Sequence, residues 1–381
     1  MKKIKEVSVF TNGDSDKLST WSNVPYFFTQ SLIEKGVKVN RIDLSPDPSL
    51  EKRWNKFFGR VISKMLKRTS YQYFRSYTHF NNTRLRIKKA LNLYPESDAN
   101  IFLTFSFSSV GLTQKPTILF CDWTYDHYFN YHANRKPDFL EKQCIRRENS
   151  QIEGADLVLL LFPSVAEYMK NRYRNKNIKY LGNVINSVYD VSEAEIIKAK
   201  ENSWDLIFVG RSGYRDGALA LISAFGNLKN DYPQLKLHII GMNENDFDVL
   251  SENIYCYGYL DKGKDEDRET YYNLFRKAKI FINTTPKWGA FSATIEAMYF
   301  CIPVVVSPYD EFVKTFGEDI QFGAYCEQNL PNEIEKNIKS ILGSPSYSSF
   351  CFNAHNSVRE YTWSSYIDKV IKEVEAIYDN Q

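Results

Sequence analysis

The sequence predicts an α/β protein of two doubly wound domains, and three observations carry that prediction. Short apolar runs alternate with helix-length segments along nearly the whole chain, as strand–helix–strand units on a parallel sheet require. The alternation breaks at a polar stretch, residues 186–203, and then starts afresh. A length of 381 residues exceeds one ordinary domain and suits two.

Each half reads in the same order. Residues 7–11 form a strand, 12–23 a polar loop, 24–35 a helix stopped by Gly36, and 37–44 a second strand. Residues 101–105 and 117–121 continue the series, and 157–162 is apolar throughout, as a strand covered on both faces is. The second half begins with a strand at 206–209, a glycine-bearing loop at 210–217 and a helix at 218–228. Strands follow at 236–240, 254–257, 280–283 and 304–307, with helices between them. The tail, 363–378, spaces Trp363, Tyr366, Ile367, Val370, Ile371, Val374 and Ile377 as one face of a helix. The expected domains are therefore 1–185, 186–360 and a terminal helix over 361–381.

Composition narrows the function classes. Hydrophobic residues make up 43%, enough for true cores, so the chain is neither disordered nor fibrous. The net charge of +3 implies no general affinity for nucleic acid, and no nucleic-acid motif accompanies it. None of the six cysteines has metal-ligand or redox spacing, which suits free thiols in a reducing compartment. The start of the chain carries too short an apolar run for a signal-peptide core, and no stretch approaches the roughly 18 residues that span a bilayer. The expected location is the cytoplasm, with peripheral attachment to the inner face of a membrane allowed. That allowance comes from residues 50–95, where twelve Lys and Arg stand against Glu51 alone, a net +11 interleaved with Trp54, Phe57, Phe58, Tyr71, Tyr73, Phe74 and Tyr77. Such a mixture on a helix suits an anionic membrane surface; a solvated helix face with core aromatics has the same composition.

The chemistry concentrates in the second half. The segment from Lys287 and Trp288 through Gly289, Ala290, Phe291, Ser292 and Ala293 leads from a strand through small residues into a helix, with Glu296 about one turn in. Free backbone N–H groups at such a helix start cradle a diphosphate, and an acid there can accept both hydroxyls of a ribose. An ordinary helix start with one solvated glutamate has the same spacing. Arg211 follows a strand end in Phe208-Val209-Gly210-Arg211, where a guanidinium can bind a leaving diphosphate. In the first half, Asp122 follows another strand end, with His127 close behind. The acidic triplets 14–16 and 265–267 read as a polar loop and a helix start, so no metal is expected to be required.

These motifs resemble the retaining family 4, or group 1, glycosyltransferases of GT-B fold. Glu296, Ala297, Pro303, Val304 and Val305 match the second half of that family's signature, and Arg211 matches its diphosphate-binding basic residue. The resemblance implies two Rossmann-like domains facing a cleft, with the terminal helix returning to the first. It implies transfer of a sugar from a nucleoside diphosphate, UDP foremost, to a glycan or lipid-linked acceptor with retention of configuration. By the same resemblance Glu296 holds the ribose, Tyr259 and Leu260 border the base, Ser292 and Ala293 meet the diphosphate, and Gly13 and Asn23 belong to a loop closing over the donor. Asp122 and His127 would contact the transferred sugar. Two departures stand out: the family's lysine is replaced by Asp216 with Arg215 before it, and its first glutamate by Trp288. An indole cannot accept a hydrogen bond, so Trp288 beside Lys287 suits a donor sugar that carries its own acceptor group, such as a carboxylate or acetamide. A non-catalytic nucleotide-sugar-binding partner and a sugar-nucleotide epimerase are the alternatives.

Overall fold

The computed structural model describes residues 3–379 apart from Arg68, Asn134 and residues 287–290. It divides into two compact units, Met1–Asn183 with Trp363–Gln381, and Val184–Thr362.

The first unit is built on six parallel strands: β1 (Glu6–Thr11), β2 (Lys38–Asp43), β3 (Ala99–Phe102), β4 (Thr117–Cys121), β5 (Leu157–Leu160) and β6 (Ile178–Tyr180), in the order β2-β1-β3-β4-β5-β6. Strands β3 and β5 are buried along their whole length, and the sequence of β5, Leu-Val-Leu-Leu, is apolar throughout as that burial requires. The helix Val24–Glu34 starts with proline in its first turn and stops at Gly36, whose φ of +80° is left-handed. The helix Phe139–Gly154 is opened by a capping box between Asp138 and Glu141. The terminal helix Trp363–Asp379 belongs to this unit: Trp363 and Tyr366 pack on Phe28 and Phe120, and Lys35 pairs with Asp368 at 2.6 Å.

The second unit repeats the plan with β7 (Asp205–Val209), β8 (Lys236–Ile240), β9 (Ile254–Cys256), β10 (Ala278–Asn283), β11 (Val304–Val306) and β12 (Gly323–Tyr325), in the order β12-β11-β10-β7-β8-β9. The chain leaves β7 in one direction and returns to β10 on its other side. That reversal makes the carboxyl ends of β7 and β10 the topological switch point, where doubly wound sheets bind ligands. The helix Arg215–Asp231 packs Ala218, Leu221, Ala224, Phe225 and Leu228 into the core beneath.

Three local expectations are corrected. The polar stretch 186–203, read as a break in the strand–helix alternation, holds the helix Glu193–Lys200. Its Lys200 is fully buried, and its Nζ donates to the carbonyls of Phe275, Arg276 and Ala278 at 3.0, 3.2 and 2.9 Å. This lysine thus closes the end of the helix Asp265–Lys277, in the sense the helix dipole favours. The loop expected over 210–217 is shorter, because the helix already begins at Arg215. Residues 50–95 form no single helix but two: a continuous run over 48–65 that widens at Asn55–Gly59, and then Tyr77–Leu93.

Candidate functional site

At the switch point of the second sheet the backbone is brought unusually close. Gly241 follows β8 with φ +101°, and a Cβ there would stand 2.5 Å from the carbonyl oxygen of Gly210. A Cβ on Gly217, in the first turn of its helix, would run into the Thr285 side chain. Side chains are thereby excluded from the strand ends, leaving room at the backbone for a ligand. Arg211 projects from this edge: its guanidinium is exposed and stacks on the ring of Tyr259, 4.3 Å from the centroid, with no carboxylate partner among the described residues. Arg215 is committed elsewhere, its Nε donating to the carbonyl of Asp246 at 3.0 Å, while Asp216 is exposed. Leu260, next to Tyr259, is half-buried.

The helix Ser292–Tyr299 has no side-chain cap, so the N–H groups of Ser292 and Ala293 open its N-terminus without an intrahelical partner. Phe291, just before it, points its ring into the core against Phe312 and Phe316, at 5.6 and 6.1 Å, and so offers only backbone. Lys287, Trp288 and Gly289 lie outside the described residues.

Glu296 is not a solvated glutamate. It is 3% exposed, and Lys262 Nζ bonds both carboxylate oxygens at 2.6 and 2.7 Å. Tyr271 and Tyr272 each donate a hydroxyl to it at 3.0 Å. Lys262 also lies over the Tyr271 ring at 4.3 Å and reaches the carbonyl of Asn186 at 3.3 Å. Burial pulls the Lys262 ammonium below the usual lysine range, and the Glu296 carboxylate beside it pushes back. The four hydrogen-bonding positions of the carboxylate are all engaged. Sequence reading missed Lys262, Tyr271 and Tyr272; the nearest signal was the buried position of an acid on an apolar helix, which demands donors from elsewhere.

The first unit has its own site, a cavity of 660 Å³ at the carboxyl ends of β1, β3 and β4. Asp122 lines it, together with Arg75, Glu148 and the rings of Trp21, Phe74, Trp123, Tyr125 and Tyr128. Burial raises the Asp122 carboxyl, opposed by bonds from the Cys121 thiol and the Trp123 N–H. Arg75 lies over the Tyr125 ring at 4.0 Å and 3.8 Å from Glu148, whose carboxyl burial also raises. Asn12 and Trp21 put the 12–23 loop on the cavity wall, and Trp21, Ser22 and Asn23 are consecutively left-handed at φ 36°, 54° and 71°. Three such residues in a row hold about 1–3 kcal/mol of strain each. Gly13, at φ +115°, stands where a Cβ would strike Thr20, and its N–H donates to Asp43 at 3.0 Å. Asn23 is buried and bonds Leu18 rather than the cavity.

His127 does not line the cavity. It lies on the helix Tyr125–Tyr131, which Thr124 caps, with its ring against Trp123 and Tyr168 at 4.6 Å each. Its Nδ1 is buried without a hydrogen-bond partner among the described residues, and burial lowers its pKa to about 4, aided by His132 and opposed by Asp126. His79 is held the same way, with Nε2 unpartnered among the described residues and a pKa lowered to about 4 by burial. The unfolded chain, titrating near 6.5, binds more protons than the folded one between these values. Stability is therefore full above pH 6.5 and falls as pH drops toward 4, by up to about 3 kcal/mol for each histidine. Chemical denaturation across that range should show the loss, and His127→Phe should remove its share; an unchanged slope would place the ring in water.

The acidic triplets are engaged in local pairs. Asp16 bonds Arg41 at 2.7 Å, and Asp265 opens a helix beside Arg268. Among the described residues no three His, Cys, Asp or Glu side chains are grouped to hold a metal ion.

Two six-stranded parallel sheets, each wrapped in helices, place this chain in the GT-B class of fold. Residues 192–361, within the second unit, match the family model of the group 1 glycosyl transferases. No curated protein matches the chain by sequence. Among solved structures, the chain is similar to sucrose-phosphate synthase from Thermosynechococcus elongatus, with 13% identity over 99% of this chain and 100% of that one, at a TM-score of 0.69. It is also similar to a glycosyltransferase from Rickettsia africae, with 14% identity over the whole of both chains and a TM-score of 0.67. The Anabaena protein HepE, in complex with UDP and glucose, aligns at 13% identity over 98% of this chain and 99% of that one, TM-score 0.60. At these identities the likeness is one of fold.

Proposed function

We propose that the chain is a retaining, family 4 glycosyltransferase that moves a hexose-type sugar from UDP to a glycan or lipid-linked acceptor, as in polysaccharide assembly. The second unit takes the donor and the first the acceptor. The observation that carries this reading is an exposed guanidinium at Arg211, without a carboxylate partner among the described residues, and a helix start at Ser292 without a side-chain cap, at the ends of neighbouring strands of one switch point. The family match over that unit and the UDP complex of the HepE neighbour support it.

In this reading Arg211 and the N–H groups of Ser292 and Ala293 stabilise the departing diphosphate. Glu296 accepts the ribose hydroxyls by giving up part of its bonding to Lys262, and Tyr259 and Leu260 border the base. The acceptor hydroxyl bonds to the anomeric carbon from the face the diphosphate leaves, and a diphosphate oxygen takes its proton, so a separate strong base is not needed. Asp122 orients the sugar or acceptor from the first unit. The protein works in the cytoplasm, resting on an anionic membrane through residues 50–95.

Thermal-shift measurements with UDP-, GDP-, ADP- and TDP-sugars test the donor site. Saturation at about 100 times the dissociation constant adds about 2.7 kcal/mol, so UDP-sugars should raise the transition and the others should not. Because Arg211 and the helix start supply the positive charge, transfer should persist in excess EDTA. Complete loss on chelation, restored by magnesium or manganese, would show that the diphosphate needs a metal.

A further inference from the structure

The exposed residues of the 48–65 segment fall into two registers. Phe57, Val61 and Met65 recur every four residues and are 64, 56 and 77% exposed, with Phe58 beside them at 61%. Lys56, Arg60 and Lys64 recur one position earlier, also exposed, with Arg53 extending the row and Lys67 exposed just past the helix end. Residues four apart on a helix share a face, so an apolar stripe runs alongside a cationic one. None of these cations is paired with a carboxylate among the described residues, and Glu51 is the only acid between 48 and 67. Neither an aqueous surface nor a polar protein partner matches that arrangement. An anionic bilayer does: the stripe enters the acyl boundary while the Lys and Arg stems carry their charges to the headgroups.

This segment is also fastened to the cavity of the first unit. Trp54, its half-buried face, packs on Tyr71 and Tyr73 at 6.1 and 5.9 Å, and Asn55 Oδ1 accepts the Tyr73 N–H at 3.0 Å. Ser70, Gln72, Phe74 and Arg75, on the stretch of chain so pinned, form one wall of that cavity.

We propose that Phe57, Phe58, Val61 and Met65 insert into an anionic lipid surface and hold the cavity wall 70–75 against it, so that the acceptor of the proposed transfer is an amphiphile presented by the bilayer. This rests on the glycosyltransferase reading only for the word acceptor; the insertion stands on the two stripes. The experiment is cosedimentation of the full chain with vesicles of phosphatidylcholine, and of phosphatidylcholine mixed with phosphatidylglycerol. The parent should bind the mixed vesicles and not the neutral ones. Phe57→Ser with Phe58→Ser and Met65→Ser should weaken binding by roughly tenfold or more. Lys56→Gln with Arg60→Gln and Lys64→Gln should weaken it similarly and flatten its dependence on salt. Both triple variants should keep the parent's melting temperature and its shift with UDP, which separates failure here from failure of the donor site. Binding that ignores the serine substitutions would overturn insertion. A parent that sediments as a dimer and becomes a monomer on those substitutions would show instead that the stripe meets a second copy of the chain. Mixed vesicles carrying total lipid from the expression host, offered beside soluble glycans, should yield radiolabelled, solvent-extractable product from a UDP-sugar; label transferred to the soluble glycans alone would overturn the lipid-borne acceptor.

Discussion

Arg211→Ala is expected to lower turnover by about 10²- to 10³-fold, the usual consequence of removing one donor from a developing anion. The fold should not notice the change: the guanidinium is exposed, and its described contact is the face of Tyr259 at 4.3 Å. Affinity for UDP should fall much less than turnover, because negative charge on the diphosphate grows as the bond to the sugar breaks. Arg211→Lys should recover part of the rate, since the charge returns but the planar, two-pronged donor does not. The measurements are kcat and KM for transfer beside a melting curve. A variant with parental kcat would remove Arg211 from the diphosphate site.

How much of this is legible in the sequence depends on the range over which each feature is encoded. Strands β4 and β8 can be read to the residue, because a mostly apolar core, Ile118–Phe120 in one and Leu237 with Ile239 and Ile240 in the other, marks each buried strand between polar neighbours. Strands β6 and β12 escape such a reading: each has three residues at a sheet edge, Ile-Lys-Tyr and Gly-Ala-Tyr, partly buried and without a run to detect. The role of Lys200 is invisible for another reason, since nothing near it in the sequence shows the three helix-end carbonyls that it meets in the fold. The candidate site shows the same division. Arg211, Ser292 and Glu296 sit at strand ends and helix starts, where local order implies function. Lys262 lies 34 residues from Glu296, and Arg75 meets Glu148 from the far side of the first unit's sequence; only folding brings such groups together. His127 stands close to Asp122 in sequence, but the helix beginning at Tyr125 turns it into an aromatic cage away from the cavity.

The Glu296 cluster allows the structural and functional roles of one carboxylate to be separated. Removing one member of a buried ion pair costs about 3–5 kcal/mol, because its partner is left charged without compensation. Lys262→Met and Glu296→Gln should each be destabilising for that reason, the first more so, since it leaves the anion with only the hydroxyls of Tyr271 and Tyr272. The double variant removes both charges together. The side-chain amide introduced by Glu296→Gln then has no ammonium to balance, and it can still bond the two tyrosines, so stability should return close to the parent's. The resulting coupling energy, read from a double-mutant cycle, reports the pair itself. Nucleotide binding should not return with it. A neutral amide offers one acceptor oxygen where the carboxylate offers two, and charged hydrogen bonds contribute about 1.5–3 kcal/mol each. The double variant should therefore melt like the parent yet bind UDP about 10- to 150-fold more weakly, by calorimetric titration. If it binds UDP as the parent does, the carboxylate is a core charge closed by Lys262, and the ribose is held by other groups.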